Sequence, residues 1–258
     1  DVIFVIDDQP LKARRDFDRL LFDRSKRIEL VFGRAGTKFT TSRAPSLAPG
    51  AVRVQFVGEE DSETMDLLER NGVRVQQSLA IPATLDPDQV LVLERRIGLT
   101  AAHAKAIESF LKQGGGVVLL GQAPNSFEGA SQADAAWIGC TGADVDGYSK
   151  ANGVITLKRQ RPFGSKLERG VIGRWSARVP FLAFFPDKLV ETASIVAECE
   201  NDRYNPPSQT LFAFTNTYGK GRVYYQMTPQ LTNYPKIGEL FVAGVKWAKE
   251  KETNDSRG

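Results

Sequence analysis

The side chains of this chain best suited to chemistry are carboxylates, amides and one imidazole, and most fall in its first half. Glu59, Glu60 and Asp61 form an acidic triplet, while Glu94 is followed directly by Arg95 and Arg96. Gln122, Asn125 and Ser126 add amides and a hydroxyl, and His103 is the single histidine of the 258-residue chain. Carboxylates such as Glu59, Asp61 and Glu94 could act as acid and base on a glycosidic bond if two of them stood roughly 5–10 Å apart across a cleft. With Arg95 and the amides, the same groups could hydrogen-bond a sugar or hold a small anion. Nucleophilic catalysis is harder to supply, because a thiol or hydroxyl needs a neighbouring base and a lone imidazole specifies no chemistry. His103 is therefore expected to be a solvent-edge residue without a partner. Cys140 and Cys199 lack metal-type spacing and are too few for a disulfide scaffold. Buried thiols are expected of them, with a Cys140–Cys199 pair left open. No metal or cofactor is called for.

These groups matter only if the chain brings them to one place, and the elements around Thr100–Ser126 suggest how it would. Thr100 opens a helical run in which Ala104, Ile107, Phe110 and Leu111 recur at three- and four-residue spacing. Gly114, Gly115 and Gly116 stop it, since glycine takes the left-handed conformation of a helix end. Val117–Leu120 is apolar without alternation, as in a strand buried on both faces. Upstream, Ala51–Val57, Val73–Val75 and Gln89–Leu93 read as strands, and Ser62–Arg70 as a helix between the first two. Alternating strands and helices of this length predict a parallel sheet with right-handed crossovers. Ligands of such sheets bind outside the carboxyl ends of the strands. Glu59–Asp61, Glu94–Arg96 and Gln122–Ser126 all follow strand ends, so the candidate residues share one rim. Polar loops facing water would produce the same pattern.

The remainder of the chain is less regular. Val2–Ile6 and Ile28–Phe32 read as strands, Leu11–Phe22 as a helix, and Thr40–Gly50 as a Pro- and Ser-rich linker or surface loop. Gln132–Ile138 reads as a short helix, Gly139–Gly153 as irregular, and Val154–Leu157 and Thr192–Glu198 as strands. Trp175, Phe181, Phe184 and Phe185 fall in a long intervening loop, where packing onto the body is expected before any stacking on sugars. Thr210–Asn216 and Arg222–Met227 flank Tyr218-Gly219-Lys220-Gly221, a hairpin signal. Pro235 opens a final amphipathic helix. The expected fold class is thus α/β: a doubly wound, mostly parallel, flavodoxin-like sheet with helices on both faces, closed by a C-terminal β-hairpin and helix. Residues 1–49 form an N-terminal extension packed on or added to the main sheet, and residues 50–258 form the domain itself.

Composition narrows the function classes. Lys and Arg number 34 against 31 Asp and Glu, a net charge of +3 spread along the chain, which argues against a nucleic-acid face. No apolar run has the roughly 20 residues of a membrane span. The first residue is Asp1 rather than Met, which favours an exported or processed protein over a cytoplasmic one.

Two segments resemble known families. Val5-Ile6-Asp7-Asp8-Gln9-Pro10-Leu11 resembles the opening of response-regulator receiver domains, but the phospho-accepting aspartate and later threonine and lysine of that family have no counterpart. A broader resemblance covers about residues 51–250. Phe110-Leu111-Lys112-Gln113-Gly114-Gly115-Gly116-Val117-Val118, then Trp137-Ile138-Gly139-Cys140, then Arg161-Pro162-Phe163-Gly164, then Tyr218-Gly219-Lys220-Gly221-Arg222-Val223-Tyr224-Tyr225, and finally Phe241–Ala248 occur in the order seen in the trehalose-utilisation (ThuA-like) family. That resemblance implies the class I glutamine-amidotransferase-like fold. In those relatives the elbow after the central strand carries cysteine or histidine, and further histidines follow later strands. Here the elbow reads Gly121-Gln122-Ala123, Arg161 stands where a histidine–proline pair would begin, and the late strand ends in Gln226-Met227-Thr228. The resemblance therefore implies a non-catalytic or catalytically altered ThuA-like domain, a binding or interaction module linked to carbohydrate metabolism. Its candidate ligand-binding residues are Gln122, Asn125, Ser126, Glu59, Asp61, Glu94 and Arg95. A carboxylate-based hydrolase of a sugar-like substrate and a structural or oligomerisation domain are the alternatives. The partners expected are a sugar-like small molecule, a protein or a second copy, not nucleic acid.

Overall fold

A computed structural model describes residues 51–58, 62–94, 99–121, 135–149, 152–159, 169–176, 181–201, 208–227 and 235–250, and the backbone of 5–6, 9–10, 28–34 and 37–43. In the N-terminal part, β1 (Val5–Ile6) pairs with β2 (Gln9–Pro10), and β3 (Ile28–Arg34) pairs antiparallel with β4 (Thr37–Arg43). The strand expected at Ile28–Phe32 is present. Thr40–Arg43, expected as linker, belongs to β4, because Thr40 and Thr41 stand opposite Val31 and Leu30 in its ladder. The helix expected at Leu11–Phe22 lies outside the described residues.

From residue 51 the order is β5 (Arg53–Val57), α1 (Glu63–Arg70), β6 (Arg74–Ser78), β7 (Val90–Glu94), α2 (Ala101–Lys112), β8 (Gly116–Leu120) and α3 (Ala135–Thr141). There follow β9 (Ala143–Ser149), β10 (Asn152–Leu157), β11 (Gly170–Ser176), β12 (Phe181–Leu189), β13 (Ser194–Asn201), β14 (Ser208–Tyr218), β15 (Gly221–Gln226) and α4 (Pro235–Lys249). One sheet holds nine of these strands in the order β11-β10-β13-β14-β15-β8-β7-β5-β6. From β15 to β6 every pairing is parallel, and from β15 to β11 every pairing is antiparallel. The protein is a mixed α/β structure whose helices cover the parallel block.

Local chemistry explains where the helices begin and end. Ser62 caps α1 by accepting from the Thr64 N–H, and the acidic Glu63 and Asp66 suit the positive N-terminal end. Thr100 caps α2, and Gly114 at φ +97° ends it. Side chains alternate across a strand, so Gly221 and Tyr224 face opposite ways. On the Tyr224 side, α4 sits so close that Gly244 lies against the Tyr224 ring and Gly116 against Ala248, with α1 beside it. On the Gly221 side lie α2 and α3, and the ribbon formed by β9 and β12 covers β14. Between these layers Val90–Leu93 and Val117–Leu120 are buried on both faces.

Two sequence expectations are corrected here. Gly139–Gly153, expected as irregular, contains β9. The loop expected around Trp175 and Phe181–Phe185 is instead β11 and β12. Antiparallel edge strands with bulges lack the unbroken apolar run of a central strand, and both the β9–β12 and β10–β11 pairings shift register. Packing of the aromatics does occur: Phe184 is buried edge-on against Phe214 at 5.3 Å and Tyr225 at 4.8 Å between ring centroids. Cys140 and Cys199 are buried thiols.

Burial has a titratable consequence. Tyr224 and Tyr225 are fully buried, which raises both phenols well above the ordinary 10.0. Tyr218 is raised too, first by donating to the Glu108 carboxylate at 2.9 Å and then by burial. A raised phenol favours the folded state fully below the unfolded value and loses that contribution as pH climbs above it. Of the six tyrosines, these three are expected to ionise only together with alkaline unfolding. Tyrosinate absorbance followed alongside circular dichroism checks this; independent ionisation in the folded state would contradict it.

Candidate functional site

The parallel block brings the carboxyl ends of β5, β7, β8 and β15 to one rim. Register sets which side chains share a face there. Glu94 pairs with Leu120, Leu120 pairs with Gln226, and Gly58 follows Val57, the partner of Leu93. Gly58, Glu94, Leu120 and Gln226 therefore form a row on the side of the sheet covered by α1 and α4. Glu94 and Gln226 are separated by two parallel strand spacings, roughly 10 Å.

Glu94 is 5% exposed. Its Oε1 accepts from Ser62 Oγ at 2.8 Å and from Thr64 Oγ1, both in the first turn of α1. The carboxylate thus ties the end of β7 to a helix N-terminus, where a negative charge is favoured. Gly58 is required beside it: a Cβ at that position would stand 3.0 Å from Glu94 Oε2 and 2.7 Å from the Phe56 ring.

Gln226 has no accessible surface. Tyr224 Oη donates to its Oε1 at 2.6 Å, while its Nε2 is buried without a partner. On the opposite face the Tyr225 hydroxyl is likewise buried without a partner, within the Phe184–Phe214 cluster. Consecutive residues at the end of the last parallel strand each leave one polar atom unmet.

His103 lies at the same rim, in the first turn of α2. Its N–H donates to Thr100 Oγ1 at 3.2 Å, and its Nδ1 accepts from the Thr100 N–H at 3.3 Å. The expectation of a partnerless histidine is corrected: a capping box normally uses Glu or Gln at this position, and here the imidazole fills the same role.

Of the residues proposed from sequence, the structure places Glu94. Glu59, Asp61, Arg95, Gln122, Asn125 and Ser126 lie outside the described residues. Ser62, Thr64 and Gln226 were not identified as site residues from sequence. A polar residue ending an otherwise apolar strand, as in Val223-Tyr224-Tyr225-Gln226, is the signal that could have identified Gln226. Among the described residues, no group of three or more His, Cys, Asp or Glu is placed to hold a metal, and no helix is long and apolar enough to cross a membrane.

No protein-family model matches the sequence, and no curated protein matches it. Solved structures share the fold. A cytoplasmic protein from Salmonella typhimurium superposes with TM-score 0.53 at 13% identity, over 86% of this chain and 95% of that one. A Bacteroides uniformis protein described as ThuA-like gives TM-score 0.53 at 11% identity, over 80% of this chain and 95% of that one. A cold-adapted β-galactosidase from Rahnella gives TM-score 0.55 at 16% identity, over 77% of this chain but 31% of the enzyme. At these identities the likeness establishes the fold alone.

Proposed function

We propose that this chain is a ThuA-like domain, doubly wound in the flavodoxin manner about its parallel block, that binds a small ligand or a partner and performs no turnover. A link to carbohydrate metabolism fits two of its structural neighbours, one described as ThuA-like and one a β-galactosidase. One observation carries the reading. Glu94 and His103, the described titratable groups at the rim that chemistry would need, are each engaged in holding a helix N-terminus. A nucleophile needs a free base, and acid–base hydrolysis needs a carboxylate able to exchange its proton with substrate. The elbow supports the same reading, since Gln122 and Ala123 stand where related sequences carry cysteine or histidine. An oligomerisation role gains no support from the described residues: the exposed large hydrophobics among them, Leu79 and Val171, lie near opposite edges of the sheet.

Ammonia release from glutamine and nitrophenolate release from p-nitrophenyl β-galactoside and β-mannoside test the reading. Neither is expected. Glu94→Gln is expected to cost about 1–3 kcal/mol of stability, because a neutral amide oxygen accepts the two hydroxyls more weakly and removes the negative charge from the helix N-terminus. Turnover that disappears in Glu94→Gln would establish the hydrolase instead.

A further inference from the structure

We propose that the β9–β12 ribbon is a strap that opens on its own while the nine-stranded sheet stays folded, baring the aromatic surface beneath it. The inference goes beyond the binding reading above and does not depend on it. Among the described residues, β9 and β12 pair with each other and not with the nine-stranded sheet. A two-stranded ribbon is marginal at best by itself, so packing must hold this one down. Of its described side chains only Ala143 and Phe184 are buried, and Ala143 sits at the base, next to α3. Phe184 is therefore the latch, set edge-on against Phe214 and Tyr225. Its pairing with Val145 has a register shift on either side, so the ladder is interrupted on both sides of the latch.

Closure also carries a penalty. The Tyr225 hydroxyl, on the face that the ribbon covers, is buried without a partner. Such a group gives up its hydrogen bonds to water when it is covered and regains them when it is uncovered. The base of the strap is fastened by contrast. The Val190 N–H donates to the Gly142 carbonyl at 2.9 Å, Thr141 Oγ1 to the Ala143 carbonyl at 3.2 Å, and Thr192 Oγ1 to Asn216 Oδ1 at 2.7 Å. Segments with few buried contacts open before the body of a protein does, in units that move together. The sheet beneath is such a body: Val117–Leu120 of β8 is buried on both faces and paired along both edges. Opening is thus confined to the ribbon, and the rings of Phe184, Phe214 and Tyr225 reach water only in the open form.

Hydrogen exchange of the intact chain, read peptide by peptide by mass spectrometry, compares the amides of β9 and β12 with those of β8. The ribbon amides are expected to exchange at least about a hundredfold faster. Three variants separate strap opening from global unfolding. Val245 is buried in α4, on the other face of the sheet, and its packing is the same whether the strap is open or closed. Val245→Ala is expected to speed exchange in β8 at least about tenfold and to leave the ribbon unchanged. Phe184→Leu trims the latch and is expected to speed ribbon exchange about tenfold. Tyr225→Phe removes the unmet hydroxyl and is expected to slow ribbon exchange about tenfold. Ribbon amides that exchange as slowly as those of β8, or that follow β8 in Val245→Ala, overturn the inference. Ribbon exchange indifferent to Phe184→Leu or to Tyr225→Phe overturns it as well, since the strap would then not be held by the one against the other.

Discussion

Gly116→Ala is expected to lower the stability of this protein by about 3 kcal/mol, seen as a fall in the unfolding midpoint of roughly 6–12 °C. Gly116 is the first residue of β8, between β7 and β15 inside the parallel block. A Cβ there would stand 2.2 Å from the carbonyl oxygen of Ala248 and 3.2 Å from its Cβ. The first of these is backbone, so no rotamer change relieves the overlap, and α4 as a whole must move. That helix buries Ile237, Leu240, Phe241, Val245 and Ala248 on the sheet, so a small displacement disturbs many contacts. Gly139→Ala is the control. It lies within α3, with Tyr218 Cε2 at an ordinary 3.5 Å from the added Cβ. Replacing a helical glycine by alanine is expected to be neutral or to stabilise by about 0.5–1 kcal/mol. Thermal denaturation of both variants decides the matter; an unchanged midpoint for Gly116→Ala would show that α4 can shift at little cost.

Asn216→Ala is expected to cost about 3 kcal/mol, because one buried amide serves three partners. Asn216 is 1% exposed; its Nδ2 donates to the carbonyls of Gly139 at 2.9 Å and Cys140 at 3.1 Å, and its Oδ1 accepts from Thr192 Oγ1 at 2.7 Å. The two carbonyls belong to the last turn of α3, where helix acceptors lack partners within the helix. Asn216 thus holds α3 to β14. Truncation leaves those carbonyls buried with no donor aimed at them. Asn216→Asp is expected to fare no better, since it keeps the acceptor for Thr192 but sets a negative charge against two carbonyl oxygens. Gly142, at φ +101°, is tied to the same clamp, because a Cβ there would stand 2.6 Å from Asn216 Cβ. Urea unfolding of the two Asn216 variants reads the effect. A loss confined to Asn216→Asp would show that charge, not the missing donor, is what the site cannot tolerate.

Strand and helix identity was most legible where side-chain patterning has a single explanation. Val90–Leu93 and Val117–Leu120 are unbroken apolar runs because both faces of β7 and β8 are covered, and no surface helix carries such a pattern. The Gly219-Lys220 turn was equally readable, since Tyr218 and Gly221 are paired across a two-residue connection and Gly219 has φ +60°. The edge strands were not readable. In β11 Val171 is exposed while Ile172 is buried, and bulges interrupt the ladders of β10 and β12, so period-two alternation is lost.

The rim was only half legible. Topology told in advance that strand ends would gather polar groups, and Glu94 is among them. Nothing in the sequence told that Glu94 would meet Ser62 and Thr64, residues 32 and 30 positions earlier. Nor could it tell that the amide of Gln226 would be half satisfied by Tyr224 and half left over. Spacing along a chain fixes periodicity and therefore which face a side chain takes. Alone, the amino-acid sequence thus determined the parallel block and its closing hairpin and helix. The tertiary structure decided that Glu94 accepts from the hydroxyls of Ser62 and Thr64, that His103 completes the cap of α2 and that Gln226 holds the buried, unmet donor, because hydrogen-bond partners are chosen by distances across strands and helices that sequence separation does not encode.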